Sequence, residues 1–293
     1  MGYPGAMSAL RPSTVRQFDD GVDCWSIVSA PAAKPLASLI NGGYASYTEN
    51  AQSFAARREL ASTSGVLIFA LDQPLSIVGA DGVEIVLKTG EAFVGGAADA
   101  TSISRALGPQ HGLHIFLSAA GLAAVCNAPL TEIANRVVPL SEYRSCDTLG
   151  ARLVEARSAE EQFDLADQTL MRWFADCRSF DRTVLWAMEQ FSFAEPTSVA
   201  AVAQEIGWSR KHLTHRFTTL TGHSPQTYRR LARFKRFTTH LAARPEDSLA
   251  ELAAETGFYD QSHLSREVQA LSAMTPGELR DSLLPGLGGF RED

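Results

Sequence analysis

No stretch of the 293-residue chain approaches twenty uninterrupted apolar residues, so no membrane-spanning helix is expected. The opening Met1-Gly2-Tyr3-Pro4 has no basic segment followed by an apolar one, so it does not read as a secretory signal. Gly2 also lacks a Ser or Thr at the myristoylation spacing. Cysteine is scarce. Cys24, Cys126, Cys146 and Cys177 lie far apart, with no Cys-x-x-Cys and no histidine at metal-ligand spacing, and they read as buried thiols in a reducing compartment. Catalytic signatures are missing as well: there is no Gly-x-Ser-x-Gly, no P-loop and no His-Glu-x-x-His. These absences lead to a soluble cytoplasmic protein that is not an enzyme and uses no cofactor or metal.

What is present is a repeat. The stretch Ser198 to Ser209 recurs as Ser248 to Asp260, with Ser198 matching Ser248 and Gly207 matching Gly257. After one extra residue, Tyr259, Leu213 matches Leu264, Phe217 matches Val268 and Pro225 matches Pro276. A repeat this regular is one supersecondary unit used twice. Val199, Val202, Ala203 and Ile206 fall at i, i+3, i+4 and i+7, one face of a short helix. Ser198 and Ser248 stand where an N-cap is wanted, and Gly207 and Gly257 close the helix where a left-handed backbone is needed. Ser209 and Asp260 then cap a second helix. Two helices joined by a tight Gly-containing turn are the unit whose second helix enters a major groove.

The exposed face of each second helix carries groove-reading chemistry. In the first copy it shows Arg210, Lys211, Thr214 and His215; in the second it shows Gln261, Ser262, Ser265 and Arg266. Arg, Lys and Gln pair with purine edges, and Ser or Thr can serve base or phosphate. Arg216, Arg229 and Arg230 are candidates for phosphate contacts that position without specifying.

With the closing phrase Gly222-His223-Ser224-Pro225-Gln226-Thr227-Tyr228-Arg229, the region resembles the DNA-binding domain of AraC/XylS-type bacterial transcription regulators: two helix-turn-helix units joined by a long helix. The resemblance implies base contacts by Lys211, Thr214 and His215 in the first unit and by Gln261, Ser262, Ser265 and Arg266 in the second. The family commonly has Phe, Gly and Tyr where this chain has Val268, Ala273 and Leu279. An alanine in a left-handed turn at 273 would cost about 1 kcal/mol. The partner implied is double-stranded DNA, with a small-molecule effector, RNA polymerase and a second copy of the chain as further candidates.

Charge is divided unevenly. The net of -7 hides a basic segment: residues 205 to 240 hold eight Lys and Arg against one carboxylate, whereas residues 241 to 293 hold four against ten. The footprint expected of a phosphate-contacting surface is thus concentrated on the first unit and the connecting helix.

Along the chain, residues 1–22 read as a leader and 23–140 as a β-rich sensory domain. Val66 to Leu71 is a buried strand, Leu75 to Leu87 a hairpin with Asp81-Gly82 at its tip, and Leu113 to Leu117 a further strand. His111 and His114 lack the spacing of a metal pair, and His114 reads as alternating on a strand face. Arg57, Arg58 and Glu59 read as solvated charge, and as the first candidates should an anionic effector bind. Helices are expected over Ala119–Cys126, Leu130–Val137 and Cys146–Ala156. Another runs from the Ser158/Glu161 capping box to about Cys177. Residues 141–180 would form a helical linker that either dimerises or packs on the β domain.

Residues 181–293 would be the DNA-binding domain. It would open with a helix over Asp181–Phe191 and a turn over Phe193–Thr197. The units follow at about 198–220 and 248–271, joined by a helix over Pro225–Ala243 about 27 Å long. Groove repeats lie about 34 Å apart on one face of B-DNA, so the shorter connector implies a tilted fit or bent DNA. The expected fold class is α+β: a mostly antiparallel, cupin-like barrel or sandwich with helices, then an all-α double helix-turn-helix domain. The expected function is sequence-specific transcription regulation, against the alternative of an interaction adaptor that keeps the fold without strong DNA binding.

Overall fold

The computed structural model describes residues 11–175, 181–193, 197–285 and 289–292. The N-terminal strands are β1 (Thr14–Asp19), β2 (Cys24–Ala30), β3 (Gly43–Asn50), β4 (Ala56–Glu59), β5 (Gly65–Ala70), β6 (Leu75–Val78), β7 (Glu84–Leu87), β8 (Ala92–Gly95), β9 (Ser102–Ala106) and β10 (Gln110–Leu117). Helix α1 (Ala119–Cys126), strand β11 (Val137–Pro139), and helices α2 (Asp147–Glu155) and α3 (Ala159–Ala175) follow. The C-terminal part consists of α4 (Arg182–Ser192), α5 (Val199–Glu205), α6 (Arg210–Thr221), α7 (Pro225–Ala243), α8 (Leu249–Thr256), α9 (Gln261–Ser272), α10 (Pro276–Asp281) and the short strand β12 (Arg291–Glu292).

Two antiparallel sheets, in the orders β1-β2-β3-β10-β5-β8-β11 and β12-β4-β9-β6-β7, face each other as a sandwich and do not close into a barrel. The period-2 alternation of strands decides the layering. In β5, Leu67 and Phe69 join the core shared with the helices. Ile68 and Ala70 turn the other way and pack with Leu75, Ile77 and Leu87 of the smaller sheet. Because β5 is covered on both faces, its sequence is a continuous apolar run.

Helix α3 is pinned over β3 by buried polar groups. Asp167 accepts from the Tyr44 hydroxyl (2.6 Å) and the Ala33 amide (3.1 Å) and pairs with Arg11, while the Ser46 hydroxyl donates to Gln162 Oε1 at 2.7 Å. Tyr44 and Phe163 stack at 5.5 Å. These contacts pack α3 on the β domain. The expected end of α3 near Cys177 lies outside the described residues, as do residues 194–196 of the expected turn.

Several expectations need correction. Strand β1 lies inside the expected leader, fully paired with β2, with Phe18 stacked on Trp25 at 4.3 Å. The expected helix at 130–137 is a single 3-10 turn over Leu130–Glu132. Asn135 then takes φ 61 and stops any helix, and Val137–Pro139 pairs with β8. The Ser158 cap is present, but Glu161 accepts from the Arg157 amide at 2.8 Å rather than closing the reciprocal box. Arg57 and Arg58 are not solvated charge. Arg57 pairs with Glu49 at 2.5 Å and lies over the Trp25 and Phe54 rings, while Arg58 is held by Glu292. His111 meets Gln162 at 3.0 Å, whereas His114 packs edge-on to Tyr47 and Phe116, where burial and the nearby Arg57 charge push its pKa down to about 4. Cys126 and Cys146 are buried free thiols and Cys24 is half-buried. Cys177 lies outside the described residues.

Candidate nucleic-acid interface

In the first unit the Ser198 hydroxyl accepts from the Ala201 amide at 3.1 Å to open α5, and Gly207 turns the chain at φ 70. Ser209 accepts from the His212 amide at 3.1 Å to open α6. Leu213 and Phe217 of α6 are fully buried, which fixes the rotation of the helix and sends Arg210, Lys211, Thr214 and His215 to solvent. These four, with Thr218, line one open depression along the helix.

The second unit repeats the construction with different caps. Ser248 and Glu251 form a reciprocal capping box at the start of α8, and Gly257 closes it at φ 86. Asp260 accepts from the His263 amide at 2.7 Å to open α9. Leu264, Val268 and Leu271 are buried, and Gln261, Ser262 and Arg266 are exposed. Ser265 is half-buried and its hydroxyl donates back to the Gln261 carbonyl at 2.9 Å. Ala273 ends the helix in the left-handed region at φ 59, as its place in the repeat requires.

Residues 202–282 match a family model described as a helix-turn-helix domain. A solved regulator from Chromobacterium violaceum, titled as having an AraC-type DNA-binding domain, is 25% identical over 36% of this chain and 96% of its own, with a TM-score of 0.33. Residues 202–282 are a helix-turn-helix domain. Over the longer span, this chain is similar in fold to ToxT from Vibrio cholerae O395, which covers 84% of this chain and 98% of its own at 13% identity and a TM-score of 0.50. No curated protein matches.

Within this domain, the arginines expected to touch phosphate have partners inside the protein. Arg216 reaches Asp181 at 2.8 Å, the residue that also caps α4. Burial raises the Asp181 carboxyl, but the bonds from Arg216, Val184 and Thr183 more than offset this and hold it low. Arg230 and Arg233 of α7 both grip Glu267 of α9, at 3.0 and 2.7 Å. Arg229 is half-buried, where desolvation and the neighbouring Arg233 lower its pKa. The cations of α7 therefore hold the two units in a fixed relation, a role that their spacing along one helix does not reveal.

Several bonds among the described residues also tie the domain to the sandwich. His223 Nε2 meets the Ala97 carbonyl at 3.0 Å, beneath the first unit. Lys235 Nζ donates to Ser64 Oγ at 3.1 Å. Arg58 of β4 donates to the Ser272 carbonyl at the end of α9 (2.9 Å) and to Glu292 of β12 (2.7 Å), which itself pairs with β4. No periodicity or motif announces these ties; the structure shows His223, inside the Gly222-His223-Ser224-Pro225 phrase, to be buried. The sequence also leaves Tyr259 as no more than one extra residue.

Proposed function

We propose that this chain is a sequence-specific DNA-binding transcription regulator whose α6 and α9 read neighbouring major-groove segments. The observation that carries the reading is the matched pair of capped helices, each rotated by a buried stripe so that its polar face points to solvent at corresponding positions. Arg210, Lys211, Thr214 and His215 would face bases and phosphates in one segment, and Gln261, Ser262 and Arg266 in the other, with Ser265 offering only its remaining lone pairs. Ser209 and Asp260 act as caps, so their contribution to DNA binding is to set the helix ends. Arg216 and Arg230 stiffen the domain in the free protein. They would reach phosphate only by leaving Asp181 and Glu267.

The sandwich is assigned as the sensory part, on the support of its ties to both units. A bound small molecule or a second copy of the chain would act through those ties, and RNA polymerase is a further candidate partner. Selection of duplexes from a random pool, followed by affinity measurement across salt concentration, tests the reading. A regulator loses affinity linearly in the logarithm of salt. The adaptor alternative draws support from the acidity of residues 241 to 293 and from the internally neutralised arginines. It requires that no duplex be selected at any salt concentration.

A further inference from the structure

We infer that Tyr259 is itself a duplex contact of the second unit, its phenol resting against the sugar-phosphate wall of the groove at the N-terminal end of α9; this rests on the DNA-binding reading above. Tyr259 is 92% exposed, and the next most exposed large apolar side chain among the described residues, Val15, reaches 58%. A single exposed aromatic on a flexible loop would need no explanation. This one is held on both sides. Phe258 before it is 5% exposed and packs on His263, Phe237 and the Arg233 guanidinium. The Tyr259 amide donates to His263 Nδ1 at 3.2 Å, and Asp260 after it caps α9. The backbone is therefore fixed, and only the two side-chain torsions of a tyrosine remain to be ordered on contact.

Charge gives the position a purpose. The first reading helix begins Arg210-Lys211 and the second begins Gln261-Ser262, so the second unit enters its groove without the leading cations of the first. Apart from Arg266 on the exposed face of α9, its arginines are engaged within the protein: Arg244 with Glu255 and Asp247, and Arg280 with the Asp247 carbonyl. A unit set in a negative field needs contacts that do not depend on ion pairing. A phenol supplies an apolar face for the sugar and an O–H donor for a phosphate oxygen. The insertion that distinguishes the second copy from the first puts this group one residue ahead of the cap.

The test compares Tyr259→Ala, Tyr259→Phe and Lys211→Ala with the wild-type chain on one selected duplex, over a range of salt. Tyr259→Ala is expected to weaken binding on the order of ten-fold, the scale of a lost hydrogen bond to a charged group. Tyr259→Phe should fall between it and the wild type. Neither should alter the salt slope, whereas Lys211→Ala should reduce that slope by about 1. Protection of the half of the footprint assigned to the second unit should fade in the Ala variant alone. Wild-type affinity retained by both Tyr259 variants overturns the assignment and leaves the regulator reading standing. A wild-type chain that binds no duplex overturns both. Because Tyr259 is 92% exposed, Tyr259→Ala is expected to keep the wild-type midpoint of thermal unfolding, so its affinity reports binding and not folding.

Discussion

At Ala273 the backbone stands at φ 59, in a region where a Cβ is unfavourable, and the same role in the first unit is filled by Gly222 at φ 80. Ala273→Gly should therefore stabilise the protein by about 0.5–1 kcal/mol, read as a rise in the midpoint of thermal unfolding. The two kinds of arginine separate at the same scale. Arg266 is exposed on the reading face, and Arg266→Ala should cost about 1–3 kcal/mol on the selected duplex and relax base discrimination there, with stability unchanged. Arg216→Ala should show the reverse, loss of thermal stability with a smaller effect on affinity, because it strips Asp181 of its partner. Equal footprints for wild type and Arg266→Ala would remove Arg266 from the readout. The caps were legible in the sequence because a cap is a local event: Ser198, Ser209, Ser248 and Asp260 each bond an amide three residues on. The partners of Arg216 and Arg230 were not, since they lie 35 and 37 residues away and no periodicity encodes them.

Helix α7 behaves as a spine whose two ends belong to different cores. Tyr228 packs with the first unit and the helical layer, while Leu231, Phe234, Phe237 and Leu241 pack with the second. Glu267 is what α9 offers to this spine. Burial raises its carboxyl pKa, yet Arg233 and Arg230 outweigh the burial and the net shift is downward. A carboxyl lowered on folding contributes stability that is complete above its unfolded pKa and disappears as pH falls through the folded one. The clamp should therefore be intact at neutral pH and weaken only in acid, below the ordinary range of a glutamate. Glu267→Gln should cost about 1–2 kcal/mol at neutral pH and flatten the acid limb of the stability profile, as denaturant titration at several pH values would show. Elements whose burial shows in their own residues, such as β5 and the β6–β7 hairpin, could be read in advance. Strand β1 could not, because its side chains are largely exposed and backbone pairing to β2 holds it. For β11 the deciding residue is Asn135, whose left-handed φ no hydrophobic pattern announces.

Over the whole molecule the sandwich grips each reader separately, the first through the core shared with the helical layer and His223, the second through Ala61, Arg58 and the β12–β4 pairing. Arg58→Ala should loosen the second grip without unfolding either reader. The variant is expected to tolerate duplexes with one or two base pairs inserted between the half-sites better than the wild type does. An unchanged spacing preference would show that Arg58 has no part in setting it. The fusion of the outermost strand to the first half of the protein also has a practical side. Residues 291 and 292 are stitched into a sheet begun more than two hundred positions earlier. A substitution or cleavage that frees these two residues would therefore unfasten the second probe from the sandwich without touching either reading helix.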